Sequence, residues 1–431
     1  MPRKLCASNS LRGRVPPWRR FNVTVGSESD LSIGQVRGIR ANESRTRPPC
    51  VDGHPDKSPS KLVFVVAIGV VLTVLLGAVS VGSVVTSSVS AHSAVTLSAT
   101  QVPRLISSCL SNEYGTLAAV FNPSNGYVYV ADGYSGVVVV KPPCTFVKSI
   151  PALVNRSEGF AFVTGVSYDP LTHEVVAVSP TTEESAGLTY VWVIHGTTLA
   201  KKVDLGDSQF AFSAAWDPAL LAFLIPNSCC TYSSGVDILY VTEVNGTTRV
   251  AVILNAFDRG NLPQRVFVAD RYVFAMGNRV DTFSDRTLNY LGSFDLSAAP
   301  GCGGCVSMAW DPLNHTVLVG LMATSPSKAV YFLDANSVAS RTFTFRSLPI
   351  HDILKNGAGG VAFSPADNDV YITAAGGSDV WFLSTSGLLQ HIYLGTSAGL
   401  GGLAYDPVSH DMYVCGSDLY GVGGLLYVLS P

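Results

Sequence analysis

Charged side chains are scarce in this sequence: they make up 14% of its 431 residues, whereas 47% of the residues are hydrophobic. Several motifs that identify enzyme classes are also missing. The chain has no Gly-x-Ser-x-Gly nucleophile elbow, no phosphate-binding loop and no haem-attachment motif. The common signals for a serine hydrolase, a nucleotide-binding protein and a covalent haem protein are therefore absent.

Much of the hydrophobicity lies in one uncharged run. Residues 62–85 contain no charged side chain, and only Thr73, Ser80 and Ser83 in this run are polar. A helix that crosses the hydrocarbon core of a bilayer needs about 20 such residues. A core helix of this length would normally carry a polar stripe. We therefore predict a transmembrane helix over residues 62–85.

The charges on either side of this run predict its orientation. Residues 1–61 contain 12 basic and 5 acidic residues, and no basic residue follows the run until Arg104. Because basic residues favour the cytoplasmic side, we expect a disordered cytoplasmic tail over 1–61 and a linker over 86–100. The segment is then an uncleaved signal-anchor, with cleavage near residues 90–94 as the alternative. The localisation expected is the cell membrane, crossed once, with the C-terminal domain extracellular.

The net charge of the remaining chain argues against one class of partner. Subtracting the tail from the totals of 28 basic and 31 acidic residues leaves 16 basic and 26 acidic residues. Nucleic-acid binding depends on basic side chains that neutralise phosphates. We therefore expect no nucleic-acid partner.

A short turn motif recurs along the rest of the chain. An aromatic residue is followed by Asp, Asn or Ser and then by Pro in six segments, which begin at Phe121, Tyr168, Trp216, Trp310, Phe363 and Tyr405. Neighbouring copies lie 42 to 53 residues apart, except for an interval of 94 between Asp217 and Asp311. Residues 266–278 fit this interval as a copy without proline. The sequence thus contains seven units.

Each unit is typical of one blade of a β-propeller. An apolar strand ends at the aromatic residue, a turn rich in Asp, Pro, Ser, Thr, Asn and His follows, and three more strand-like segments complete the unit. We predict an all-β fold, a seven-bladed propeller over residues 101–431. The last unit ends after its third strand, so we expect residues 102–110 to supply its fourth and close the ring.

The Trp-Asp pairs do not indicate a WD-repeat protein, since they end the first strand of a unit and have no Gly-His partner. The pattern instead resembles the repeats of YVTN-type (NHL-like) propellers, an aromatic-Asp-Pro turn followed by Val-Tyr-Val. Residues 121–132 and 405–417 match best. The resemblance implies a seven-bladed propeller of the kind found on microbial surfaces. It implies little about activity, because related propellers include binding modules, lyases and lactonases.

Glycines precede several of the predicted inner strands. They include Gly301, Gly304, Gly359, Gly360, Gly401 and Gly402. One interpretation is a binding site at the mouth of the central channel, where glycine lets a ligand approach the backbone. The other is that glycine relieves crowding among the seven inner strands.

Seven cysteines follow the predicted span. The strand assignment places all of them except Cys144 on or near the channel-mouth face. Cys302 and Cys305 are separated by two glycines, and in an oxidising compartment we predict a disulfide between them. The alternatives are free thiols or a zinc site that also uses Cys229 and Cys230.

Few residues suggest catalysis. His173, His315 and His410 each follow the turn Asp by four residues, so we interpret them as turn formers. Glu158, Asp207 and Asp352 are acidic residues expected near the mouth, where they could hold a catalytic metal. Asn155, Asn245 and Asn314 lie in Asn-x-Ser/Thr triplets and are candidate glycosylation sites.

These observations favour a membrane-anchored surface propeller that binds an extracellular protein or glycan partner without catalysis and without a cofactor. The alternative is an extracellular lyase or hydrolase that depends on calcium or magnesium and uses Glu158, Asp207 or Asp352 at the channel mouth.

Overall fold

The computed structural model describes residues 103–431 with internal gaps. The gaps are residues 112–114, 152–161, 181–188, 206–210, 229–233, 245, 254–262, 278, 295–304, 322–329, 348–353, 355–356, 385–386, 388, 396–398 and 418–423. The predicted tail, membrane span and linker (1–61, 62–85 and 86–100) lie outside the described residues. Within the described part of the chain, no helix is long and apolar enough to span a bilayer.

The described residues form seven antiparallel sheets of four strands each, which confirms the seven-bladed propeller. Blade 1 consists of β2 (Ala118–Asn122), β3 (Tyr127–Ala131), β4 (Val137–Lys141) and β5 (Thr145–Ile150). Blade 2 consists of β6 (Gly165–Tyr168), β7 (Glu174–Pro180), β8 (Thr189–His195) and β9 (Thr198–Asp204). Blade 3 consists of β10 (Ala215–Asp217), β11 (Ala222–Ser228), β12 (Ser234–Val244) and β13 (Thr247–Ile253).

Blade 4 consists of β14 (Arg265–Ala269), β15 (Tyr272–Met276), β16 (Val280–Ser284) and β17 (Tyr290–Phe294). Blade 5 consists of β18 (Cys305–Asp311), β19 (Thr316–Leu321), β20 (Val330–Asp334) and β21 (Phe345–Ser347). Blade 6 consists of β22 (Ala358–Ser364), β23 (Asp369–Ala374), β24 (Asp379–Leu383) and β25 (Leu389–Tyr393). Blade 7 consists of β26 (Leu400–Tyr405), β27 (Met412–Ser417), β28 (Gly424–Ser430) and β1 (Arg104–Ser111).

The ring closes as the sequence predicts. β1 pairs antiparallel with β28, from Arg104 opposite Ser430 to Ser111 opposite Gly424. The inner strand of each blade contacts the inner strands of the two neighbouring blades, and that of blade 7 contacts that of blade 1. The first strand of the described chain therefore completes the last blade.

The two ends of the blades define two faces. The turns between the first and second strands of each blade, and between the third and fourth, lie on one face, which we call the turn face. The connections that lead into the inner strands lie on the opposite face, together with those between the second and third strands. We call this the mouth face. Since Arg104 lies opposite the C-terminal end of β28, the described chain starts at the turn face.

The predicted turn chemistry is confirmed. In the turn after β6, the Oδ1 atom of Asp169 accepts a hydrogen bond of 2.7 Å from the amide of Leu171. Asp217, Asp311 and Asp406 accept equivalent bonds from the second and third amides ahead of them. The three turn histidines, His173, His315 and His410, have φ values of 62°, 49° and 68°, in the left-handed region that ends such a turn.

Blade 4 is the unit without the Asp-Pro turn. Its inner hairpin joins β14 and β15 through Asp270 and Arg271 alone, and Asp270 adopts a positive φ of 52°. This blade occupies the interval of 94 residues where the sequence predicts a unit without proline.

A short helix that the sequence does not predict, α1 (Ala335–Ala339), connects β20 to β21 in blade 5. The side chain of Asp334 caps this helix by accepting a hydrogen bond from the amide of Asn336.

The core lies between adjacent blades rather than inside one of them. In β3, Val128 and Val130 pack towards blade 7, whereas Tyr129 and Ala131 pack towards blade 2. Both surfaces of a blade are thus buried, which explains why strands such as β7 and β15 are buried at every position. Continuous apolar strands are the expected consequence of a sheet covered on both sides.

Candidate functional site

The inner strands surround a central cavity of about 520 Å³. Its volume falls in the range of ligand pockets, roughly 300–1,000 Å³. All seven blades contribute described residues to its lining, and most of these side chains are small or apolar. The axis of the ring is therefore the place where the fold can enclose part of a ligand or partner.

Six of the residues that line the cavity occupy the same position in the repeat. Counting five residues back from the turn residue of each unit leads, in six blades, to residues that line the cavity: Leu117, Thr164, Phe212, Arg265, Gly359 and Gly401. No motif in the sequence singles out Phe212 and Arg265 as residues of the cavity lining. Aligning the seven units on their turn residues is the signal that could have found them.

Four of the predicted glycines lie where inner strands approach one another. A Cβ atom on Gly359 would lie 2.0 Å from the carbonyl oxygen of Leu400, and one on Gly360 would lie 2.6 Å from that of Gly401. Gly402 is similarly close to the carbonyl of Leu117, at 2.9 Å. Crowding of the inner strands thus accounts for glycine here, and Gly359, Gly401 and Gly402 also line the cavity. Gly301 and Gly304 lie outside the described residues.

Hydroxyl groups in the lining join neighbouring blades. Ser213 Oγ accepts a 2.9 Å hydrogen bond from the amide of Val266 in the next blade. Ser307 Oγ accepts one of 3.0 Å from Val361. Thr164 Oγ1 donates to the carbonyl of Ala211 at 3.1 Å. Because these hydroxyls form hydrogen bonds with backbone groups of the neighbouring blade, the hydroxyls stabilise the contact between blades.

Among the described residues at the mouth, two pairs of side chains supply aromatic and charged groups. The guanidinium carbon of Arg265 lies 6.0 Å from the ring centre of Phe212, over its face. Phe162 lines the cavity and meets the more exposed Tyr134 edge to face, with ring centres 4.8 Å apart. Among the described residues that line the cavity, only Arg265 carries a charge. The described lining thus combines aromatic surface with the guanidinium group of Arg265.

The structure does not describe the residues that are predicted to bind a metal. Glu158, Asp207 and Asp352 lie outside the described residues. Among the residues that are described, no group of three or more His, Cys, Asp or Glu side chains is arranged to hold a metal ion. The metal-dependent alternative rests on its three carboxylates alone.

The described residues contain a disulfide that the sequence does not predict. Cys109 in β1 forms a disulfide with Cys144 in the β4–β5 turn, with Cα atoms 5.6 Å apart. Cys144 lies in a turn of the turn face, away from the mouth as the strand assignment predicts. Its pairing with Cys109 is not predicted by the sequence and arises because the outermost strand of blade 7 packs against blade 1. Cys302 and the side chain of Cys305 lie outside the described residues, as do Cys229 and Cys230. Their predicted disulfide stays a prediction.

One cysteine of the propeller is a free thiol. Cys415 in β27 is fully buried, and this burial raises the pKa of its thiol to about 12. Nucleophilic attack and metal binding both require the thiolate. Cys415 is therefore a core residue.

Only one candidate glycosylation site is described. Asn314 is exposed at the turn face, and its side-chain nitrogen donates a 2.7 Å hydrogen bond to Asp311. Glycosylation would replace a hydrogen on this nitrogen, which already donates a hydrogen bond within the turn. Asn155 and Asn245 lie outside the described residues.

No protein-family model matches the chain, and no curated protein matches its sequence. Among solved structures, it is similar to the β-propeller domain of Cps50 (Swd1) from Myceliophteria thermophila, at 11% identity and a TM-score of 0.54 over 77% of this chain and 100% of that one. It is also similar to the WD40 β-propeller domain of Doa1, at 10% identity and a TM-score of 0.54 over 76% and 97%. At these identities the likeness is one of fold.

Proposed function

We propose that this chain is a membrane-anchored cell-surface propeller, related to the YVTN type, that binds an extracellular protein or glycan partner at its mouth face. The observation that carries this proposal is the central cavity, with Phe212 and Arg265 paired in its wall. Aromatic and arginine side chains in a partly buried pocket dominate the energy of protein interfaces. Aromatic faces also suit the apolar faces of sugar rings.

The anchoring part of the proposal is supported by two separate features. The uncharged run at 62–85 has the length of a membrane span, and basic residues precede it. The Cys109–Cys144 disulfide supports an oxidising compartment, where such bonds persist. Both features favour an extracellular propeller.

The binding function can be tested without knowing the natural partner. The full chain, purified in detergent, is probed with a phage-displayed random peptide library and an immobilised glycan array. We expect selected ligands to compete with one another and to lose at least tenfold in affinity for the Phe212→Ala and Arg265→Ala variants. Tyr393→Ala is the matched control, since Tyr393 is exposed on the outermost strand of blade 6. Ligands that bind both mouth variants as tightly as the wild type would show that the site lies elsewhere.

Metal analysis of the same preparation separates binding from the enzymatic alternative. We expect no stoichiometric calcium or magnesium. One metal ion per chain, lost on substitution of Glu158, Asp207 or Asp352 by the corresponding amide, would favour the lyase or hydrolase instead.

A further inference from the structure

The turn of blade 3 lacks a hydrogen bond that three equivalent turns have. In blades 2, 5 and 7, the Oδ2 atom of the turn Asp accepts from the side chain three residues later, at 2.6, 2.7 and 2.8 Å; these pairs are Asp169–Thr172, Asp311–Asn314 and Asp406–Ser409. In blade 3 this position is occupied by Leu220, which has no donor. The Oδ2 atom of Asp217 is buried and has no hydrogen-bond partner among the described residues. Because such an oxygen is costly to charge, this turn disfavours the carboxylate.

A second carboxyl group adds to this effect. Asp285, in the β16–β17 turn of blade 4, is also buried, and its charge opposes the ionisation of Asp217. Tyr240 in β12 interacts electrostatically with Asp217 as well. The turns of blade 4 on this face also carry Asp270, Arg271 and Arg286. Both arginines are exposed, and Arg271 lies 3.8 Å from Asp270. Burial, together with the charge of Asp285, raises the pKa of Asp217 to about 6.

The chain before Asp217 leads directly to the mouth. Asp217 is the last residue of β10, which is only three residues long. Phe212 lies five residues earlier, and its amide donates to the carbonyl of Gln264 in blade 4 at 2.9 Å. The segment 212–217 thus meets blade 4 at both ends, through hydrogen bonds at the mouth and through Asp217 at the turn face. Its position sets the distance between Phe212 and Arg265.

We propose that a proton on Asp217 holds blades 3 and 4 together, and that its loss loosens this contact and weakens partner binding at the mouth. The inference rests on the proposed function, because it concerns the regulation of the same site. When Asp217 ionises, movement of the segment 212–217 away from blade 4 lets water reach the unpartnered oxygen. Since the pKa of Asp217 is raised in the closed contact, closure binds a proton. The stabilisation is complete below about pH 4 and is lost as the pH rises through about 6.

Two equivalent amides provide the test and its matched control. The amide of Val266 donates to Ser213 Oγ across blades 3 and 4 at 2.9 Å, and that of Val361 donates to Ser307 Oγ across blades 5 and 6 at 3.0 Å. In blade 5 the Oδ2 atom of the turn Asp has its side-chain partner. Hydrogen exchange of the full chain in detergent is followed by mass spectrometry at pH 5 and pH 7.5. The rates are corrected for the intrinsic pH dependence of amide exchange.

We expect the protection of the Val266 amide to fall from pH 5 to pH 7.5 by at least about threefold and at most about tenfold, the limit set by linkage. Protection of Val361 should stay constant. Asp217→Asn carries no charge at either pH and should abolish the difference, as should a restored donor in Leu220→Thr. Asp311→Asn, the control substitution, should leave it unchanged. A pH response at Val266 that equals that at Val361, or that persists in Asp217→Asn, would overturn the proposal.

The effect on binding is measured with a peptide selected by phage display and dependent on Phe212 and Arg265. From pH 5 to pH 7.5, its affinity for the wild type should fall at least about threefold more than its affinity for Asp217→Asn. Ionisation of the peptide itself contributes equally to both proteins. An equal change in the two proteins would refute the coupling to the mouth. If no selected peptide depends on these residues, the proposed function is wrong and the regulation of binding falls with it, whereas the exchange rates still decide whether the contact responds to pH.

Discussion

Cys109 and Cys144 join the two ends of the ring: the disulfide links the closing strand β1, in blade 7, to the β4–β5 turn of blade 1. Around it, Val138, Val140 and Leu426 pack between the same two blades. Blade 7 is completed by β1, which comes from the start of the described chain. The disulfide thus reinforces the contact between blades 7 and 1, where the ring closes.

Removing this disulfide is expected to destabilise the propeller. The bond spans 35 residues, and closing a loop of that length in the unfolded chain corresponds to about 2–4 kcal/mol. We expect Cys109→Ser and Cys144→Ser to lower the free energy of unfolding by this amount, measured by denaturant titration of the full chain. In reducing buffer, wild type and variants should be equally stable. Unchanged stability of the variants in oxidising buffer would contradict a closed junction.

Thr116 joins the same two blades through hydrogen bonds. Its buried hydroxyl accepts from the amide of Gly416 at 2.8 Å and donates to the carbonyl of Leu425 at 2.6 Å. Thr116→Val keeps the shape but leaves both backbone groups without this partner, so we expect a loss of about 1–3 kcal/mol in unfolding free energy. Thr116→Ser retains the hydroxyl and should be closer to wild type. Equal stability of the two variants would argue against a role for the hydroxyl.

The inner strands should not tolerate a side chain at Gly359. A methyl group there would overlap the carbonyl oxygen of Leu400, so Gly359→Ala is expected to cost at least about 2 kcal/mol, within the range of overpacked cores. Gly399→Ala is the matched control, because its Cβ would meet Gly376 at 3.4 Å, an ordinary contact. Thermal denaturation of both variants gives the comparison. A Gly359→Ala variant as stable as the control would contradict the close approach of blades 6 and 7.

The buried carboxyl of Asp217 makes a definite pH prediction. Burial, aided by the charge of Asp285, raises its pKa to about 6, although the amides of Leu220 and Ala219 favour the charged form. Because the pKa is higher in the folded than in the unfolded chain, the folded protein binds more protons. The stability that this group confers therefore rises as the pH falls from about 6 to about 4.

Asp217→Asn keeps an oxygen that can accept from the two amides but carries no charge. We expect the variant to be more stable than wild type above pH 6, by at most about 3 kcal/mol. This advantage should shrink as the pH falls to 4, as measured by unfolding titrations at several pH values. An advantage that grows at low pH would show that the folded protein favours the carboxylate.

The repeat could be read from the sequence because its turn is local chemistry. A side chain that accepts from the next amides, a Pro and a left-handed residue such as His173 all act within five residues, so six of the seven units mark their inner hairpin in the sequence. The missing fourth strand of the last unit was equally visible, since an unpaired edge needs a partner and only residues 102–110 remained.

Contacts between blades could not be predicted in the same way. The pairing of Cys109 with Cys144 depends on how the outer strand of one blade packs on the next. The spacing of these cysteines in the sequence does not indicate that packing. The Phe212–Arg265 pair also joins two blades, and it becomes visible only when the seven units are superposed on a common register. The carboxylates predicted at the mouth lie between the repeated segments of the sequence, where the repeat pattern does not constrain the chain.

A crystal structure of the chain in complex with a selected peptide or glycan shows directly whether the channel mouth is the binding site. We expect the ligand to enter the central cavity and contact Phe212, with an acceptor atom within hydrogen-bond distance of the Arg265 guanidinium. A ligand bound along an outer strand or on the turn face, with the cavity empty, would contradict this expectation.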